Sequence, residues 1–172
     1  MKILIFLDHD VMIRHFVDSG VFNSLVNRHK VVFVFPEGHK RVTRNLSNLK
    51  LNTSFVSLSI NQKRSKIWKR LYQVSTLRFK LGRQSKASRI FYRAAIGWKV
   101  SIYYAILGIP GLFYFFKRSS LSRISKNKNK DFEELLSNEK PDLLIHPSVL
   151  EGLFINDLVM ESKDKEIPLI VI

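Results

Sequence analysis

An α/β fold with a mostly parallel sheet flanked by helices is predicted by three features of this 172-residue sequence. Short apolar runs rich in Val, Ile, Leu and Phe recur at Lys2–Leu7, Val31–Phe35, Phe55–Ile60, Leu143–Ile145 and Pro168–Ile172. Stretches with helical spacing of apolar residues lie between them. The second run, VVFVF, is continuous, as a parallel strand covered on both faces requires, and Pro36 and Gly38 stop it.

The elements follow in order. KILIFL is the first strand: the apolar run reaches Asp8 too early for a signal peptide and shows no small-residue cleavage pattern. Val11–Arg28 places Val11, Ile13, Phe16, Val17, Val21, Phe22, Leu25 and Val26 near helical period; Asp10 can cap that helix and Gly20 weakens its middle. After the second strand, His39–Asn52 is polar, with a short helix around Arg41–Leu49. FVSLSI is the third strand. Gln62–Phe79 predicts a basic helix with Ile67, Leu71, Val74 and Leu77 on its apolar side, followed by a break over Lys80–Ser88. The aromatic segment Ile90–Arg118 reads as a helical hairpin, and Ser119–Lys130 as polar and turn-rich. Asp131–Asn138 is a short helix with its acids early, as the helix dipole favours. A short strand, a helix over Gly152–Met160 and the strand PLIVI complete the pattern, a Rossmann-like succession within residues 1–172, with 61–130 as a basic helical insertion.

Composition narrows the chemistry. With no cysteine there is no disulfide framework, thiolate metal site or cysteine nucleophile. The net charge of +15 is concentrated: Asn61–Lys130 holds 18 of the 29 Lys and Arg and none of the 14 acids. Within that segment, Trp98, Tyr103, Tyr104, Phe113, Phe115 and Phe116 lie among apolar residues, with Lys99 inside the run and basic residues on both flanks. Aromatic anchors flanked by Lys and Arg suit an anionic membrane surface, so these residues are candidate membrane contacts and nucleic acid is the disfavoured partner. A full span is disfavoured by Lys99, Gly108, Pro110 and Gly111; a hairpin packed on its own domain is the plain alternative.

In an open parallel sheet the ligand crevice lies outside the carboxyl ends of the strands. Those ends carry Asp8, His9 and Asp10, then Glu37, then His146 and Ser148. His9 is a candidate general base, since an imidazole exchanges protons near neutrality, and Asp8 or Asp10 can orient it. A helix-start hydrogen bond for His9, loop packing for His146, and capping for Ser148 and Glu151 are the structural alternatives. Arg14, one turn into the first helix, can reach an anion or simply face solvent. No Gly-x-Gly-x-x-Gly, Walker A, His-Glu-x-x-His or Gly-x-Ser-x-Gly motif occurs, which disfavours ordinary NAD, P-loop, zinc-hydrolase and α/β-hydrolase chemistry. The sequence calls for no cofactor and no metal.

Two stretches carry a family resemblance. KILIFLDHDVMIRHFVDSGVFNSLVNRHKVVFVFP and KPDLLIHPSVLEGLFINDLVMESKDKEIPLIVI together resemble the N-terminal, acceptor-side domain of GT-B-fold glycosyltransferases of bacterial surface-polysaccharide type. The resemblance covers both ends of the chain, and the middle matches only in being basic, helical and interfacial. It implies sugar transfer from a nucleotide-sugar to a lipid-linked or polysaccharide acceptor, on the cytoplasmic side, peripheral to the inner face of the cell membrane. On that reading His9 and Asp10 are catalytic, and Asp8, Arg14, Glu37, His146 and Ser148 bind substrate. The chain stops at Ile172, so the expectation is a fragment, inactive alone, whose nucleotide-sugar donor is held by a missing C-terminal domain or a partner subunit. A sugar-nucleotide epimerase domain and a non-enzymatic basic module for membrane or nucleic acid are the competing expectations.

Overall fold

The apolar runs pair into one sheet. Its strands are β1 (Lys2–Phe6), β2 (Lys30–Pro36), β3 (Ser54–Leu58), β4 (Leu143–His146) and β5 (Leu169–Val171), in the order β3-β2-β1-β4-β5. Every pairing is parallel; Ile3 lies opposite Val31 on one side and Leu143 on the other. The computed structural model describes residues 1–38, 53–80, 90, 93, 94, 96–147 and 153–172. Its helices are α1 (Asp10–Met12), which runs on as a π-helical stretch (Ile13–Asp18), α2 (Asn23–Arg28), α3 (Gln62–Lys80), α4 (Lys99–Gly108), α5 (Leu112–Lys126), α6 (Lys130–Glu139) and α7 (Ile155–Asp164).

The period of two along β1 builds two cores. Ile3, Ile5 and Leu7 join Val31, Phe33 and Phe35 under Met12, Ile13, Val17 and Phe22, whereas Leu4 and Phe6 join Val32, Val34 and Leu144 under Phe132, Leu135, Leu136, Phe154 and Leu158. Helices thus cover both faces, which is why the central strands are apolar without alternation. Each fully buried side chain of this size contributes about 1.5–3 kcal/mol. Phe6 anchors the second core, its ring 5.5 Å from those of Phe132 and Phe154. At the start of β1, Lys2 pairs with Glu139 at 2.6 Å, and its backbone N–H donates to Asp142 at 2.7 Å.

The chain divides into two compact units, Met1–Asn61 with Asn129–Ile172, and Gln62–Lys128. The first is the Rossmann-like sheet domain. The second comprises α3, α4 and α5 around Val74, Val100 and Tyr103, and it occupies the connection from β3 to β4. Buried Arg64 donates to the Ile124 carbonyl at 2.5 Å, a second donor there beside the Asn127 N–H at the C-terminal end of α5.

Three expected boundaries differ. The single helix over Val11–Arg28 is broken: Gly20 has φ +75°, and a Cβ there would stand 2.7 Å from Asn23 Nδ2, so glycine ends one helical segment and α2 begins afresh. Ser119–Lys130 is not turn-rich, because α5 continues to Lys126. Its Ser120 and Ile124 extend the inward stripe of Phe113 and Phe116, and that packing outweighs the weak helix propensity of the serines. The helix expected at Gly152–Met160 runs from Ile155 to Asp164, where Phe154, Leu158 and Glu161 make one buried face. The short helix at Arg41–Leu49, the break after Lys80 and the aromatics Phe91 and Tyr92 lie outside the described residues.

Candidate functional site

The strand order fixes where a ligand crevice forms. From β1 the chain moves outward through β2 and β3, then β4 arrives on the other side of β1. This reversal makes the carboxyl ends of β1 and β4 the topological switch point. Asp8 follows β1 and His146 closes β4, so residues 138 apart in sequence meet there.

Both side chains are fully buried. Asp8 Oδ2 lies 3.1 Å from His146 Nε2 and accepts the backbone N–H of Leu153 at 2.6 Å. An imidazole nitrogen facing a carboxylate is the protonated one, so His146 donates through Nε2 and its Nδ1 carries the free lone pair when the ring is neutral. Three polar atoms at this end of the sheet are buried without a hydrogen-bond partner among the described residues: Asp8 Oδ1, His146 Nδ1 and His9 Nδ1. An unbonded buried polar group costs about 1–3 kcal/mol, so a cluster of them in a native fold needs a functional account. A hydroxyl or amine donor is the chemistry that an unbonded Asp8 Oδ1 or His146 Nδ1 accepts.

Local structure holds these atoms in place. Leu7 N–H donates to the Val34 carbonyl at 2.9 Å, extending the chain past β1. His9 is extended (φ −164°, ψ 164°), and its carbonyl accepts from Met12 N–H at 2.9 Å, starting α1. The π-helical stretch directly after α1 is of a kind found frequently near functional sites.

The sequence-derived candidates separate on this frame. Asp8 serves His146 and Leu153 rather than His9. His9 is half-buried at the helix start, beside the pair in sequence, and Asp10 is a first-turn acid of α1. Arg14 and Glu37 are exposed; the Glu37 backbone N–H bonds the Leu58 carbonyl at 2.8 Å. Ser148 and Glu151 lie outside the described residues. Sequence reasoning located Asp8 and His146 through their strand ends but missed their pairing and the Leu153 N–H. Among the described residues no group of three or more His, Cys, Asp or Glu side chains is placed to hold a metal ion.

In the helical unit the candidate membrane contacts fall into two sets. Trp98, Lys99 and Phe115 are exposed. Tyr103 is buried and its hydroxyl donates to Gln73 at 3.4 Å, while Tyr104, Phe113 and Phe116 pack inward on the same cluster. Among the described residues no single helix is long and apolar enough to cross a membrane; α4 and α5 together have the length and composition but are bent by 116°.

No family model matches the sequence, and neither a curated protein nor a solved structure matches it. The architecture itself is Rossmann-like, a mostly parallel sheet flanked by helices with an additional basic, aromatic helical region, consistent in general with a nucleotide- or sugar-binding domain.

Proposed function

We propose that this chain is the acceptor-binding part of a glycosyltransferase that moves a sugar from a nucleotide-sugar to a lipid-linked or polysaccharide acceptor at the membrane. The observation that carries the reading is the buried Asp8–His146 pair at the β1/β4 switch point, with its unbonded acceptor atoms. An acceptor hydroxyl donates to His146 Nδ1; as its oxygen bonds the anomeric carbon of the donor, the bond to the nucleoside diphosphate breaks and the proton passes to the imidazole. Asp8 fixes the tautomer and stabilises the imidazolium that forms. The donor is held by a further domain or a partner subunit, and the basic helical unit keeps the chain at the cytoplasmic face, where a lipid-linked acceptor is met in two dimensions.

The test is release of nucleoside diphosphate from a panel of nucleotide-sugars, in the presence of membrane lipid extract, by the native complex recovered through a tag on this chain. His146→Ala is expected to lower kcat about 100- to 10,000-fold with donor KM little changed. Transfer indifferent to His146, or nucleotide-sugar turnover that needs no acceptor and yields an epimerised donor, overturns the reading.

A further inference from the structure

The helical unit shows which of its apolar residues are already used. Val100, Tyr103, Tyr104, Ile106, Leu107, Phe113 and Phe116 serve its interior. A second set faces outward: Trp98 is 74% exposed, Ile102 46%, Ile109 54%, Tyr114 64% and Phe115 71%. Trp98, Ile102, Ala105 and Ile109 recur at steps of four, three and four residues, so they form one stripe along α4 opposite its packed side. The helix is therefore apolar nearly all round, and such a helix needs an apolar medium on both sides.

The stripe continues at the turn. Ile109, Pro110 and Gly111 join α4 to α5, Gly111 takes φ +80°, and the helices diverge by 116°. Tyr114 and Phe115 stand exposed directly beyond that elbow, followed by exposed Lys117 and Arg118. Ten residues of α4 give a length of about 15 Å, half the hydrocarbon thickness of a bilayer. A bent pair of this size has the dimensions to reach into one leaflet.

We propose that the α4–α5 elbow is an interfacial wedge that inserts into an anionic bilayer. Trp98, Ile102, Ile109, Tyr114 and Phe115 sit at the level of the acyl-chain boundary, and Lys99, Lys117 and Arg118 meet the lipid phosphates. Charge complementarity selects this occupant: the segment Asn61–Lys130 carries 18 Lys and Arg and no acid to repel an anionic headgroup. Tyr103, Tyr104, Phe113 and Phe116 take no part, because they hold the helices together. The inference rests on the membrane placement proposed above and is independent of the Asp8–His146 pair.

The chain has two tryptophans, so Trp68→Phe leaves Trp98 as a single reporter. The full chain is titrated with vesicles of phosphatidylcholine alone and of phosphatidylcholine with phosphatidylglycerol, some carrying brominated acyl chains. The expected result is a blue shift of Trp98 emission and bromine quenching on the anionic vesicles. Trp98→Ser with Phe115→Ser is expected to weaken partitioning about 100-fold, or ~10-fold per apolar anchor removed. Lys117→Gln with Arg118→Gln is expected to weaken binding about 30-fold on anionic vesicles only. Circular dichroism checks that these surface variants keep the helix content of the parent. Unshifted Trp98 emission with anionic vesicles overturns the proposal, as does equal binding by the Ser variants. So does a shift that follows protein concentration without lipid, which would mean a second copy covers the stripe, or one induced equally by RNA. Loss of transfer in His146→Ala with intact vesicle binding separates a failure at the sheet from a failure of the wedge.

Discussion

Replacing Asp8 by Ala removes the acceptor shared by His146 Nε2–H and Leu153 N–H, both bonded to the same carboxylate oxygen in a buried site. Each stranded donor costs about 1–3 kcal/mol. Loss of the carboxylate also relieves its own unbonded Oδ1, so the net destabilisation is expected at about 2–4 kcal/mol rather than the sum. Asp8→Asn keeps one acceptor oxygen of the same shape and loses only the charge assistance, about 1–2 kcal/mol. The assay is urea unfolding followed by far-ultraviolet circular dichroism, because both tryptophans, at 68 and 98, lie in the helical unit. Amide exchange at Leu153 gives a site-specific readout and is expected to accelerate in Asp8→Ala. A double-mutant cycle with His146→Ala then isolates the pair, with an expected coupling of about 1–3 kcal/mol. Asp8→Ala within 0.5 kcal/mol of the parent, unchanged Leu153 exchange and zero coupling would together refute the reasoning.

Two further outcomes follow from backbone and cap geometry. Gly20→Ala places a Cβ at φ +75° and 2.7 Å from Asn23 Nδ2; a loss of about 1–3 kcal/mol is expected in the same urea assay, and an unchanged midpoint would show that the break after the π-helical stretch does not require glycine. Arg64→Ala removes a buried guanidinium donor from the Ile124 carbonyl, which keeps the Asn127 N–H; about 1.5–3 kcal/mol less stability is expected, read as faster proteolysis within Gln62–Lys128, whereas unchanged cleavage would show that this contact does not stabilise the helical unit.

Much of the sheet domain was legible because its strands are buried on both faces. VVFVF and KILIFL admit few other readings, and the helical patterns around Val17 and Leu135 give the covering faces. Boundaries were less legible where local preference opposed packing. The serines of α5 favour turns, yet Ser120 and Ile124 continue a stripe begun by Phe113, and burial decided the outcome. At Gly20 the reverse held: apolar spacing ran through the glycine, but a positive φ ended the helix there.

The sequence by itself determined the α/β class, the strand-end positions of Asp8, His9 and His146, and the confinement of positive charge to one segment, because these depend on local order and composition. Only the tertiary structure decided which residues meet. Strand order brought β4 beside β1, and that adjacency turned Asp8 toward His146, 138 residues away, so the carboxylate next to His9 in sequence is not its partner. Helix packing likewise split one aromatic run into buried Tyr103 and exposed Trp98 and Phe115, since exposure depends on which side of a helix its neighbours occupy, a long-range fact that no local pattern contains.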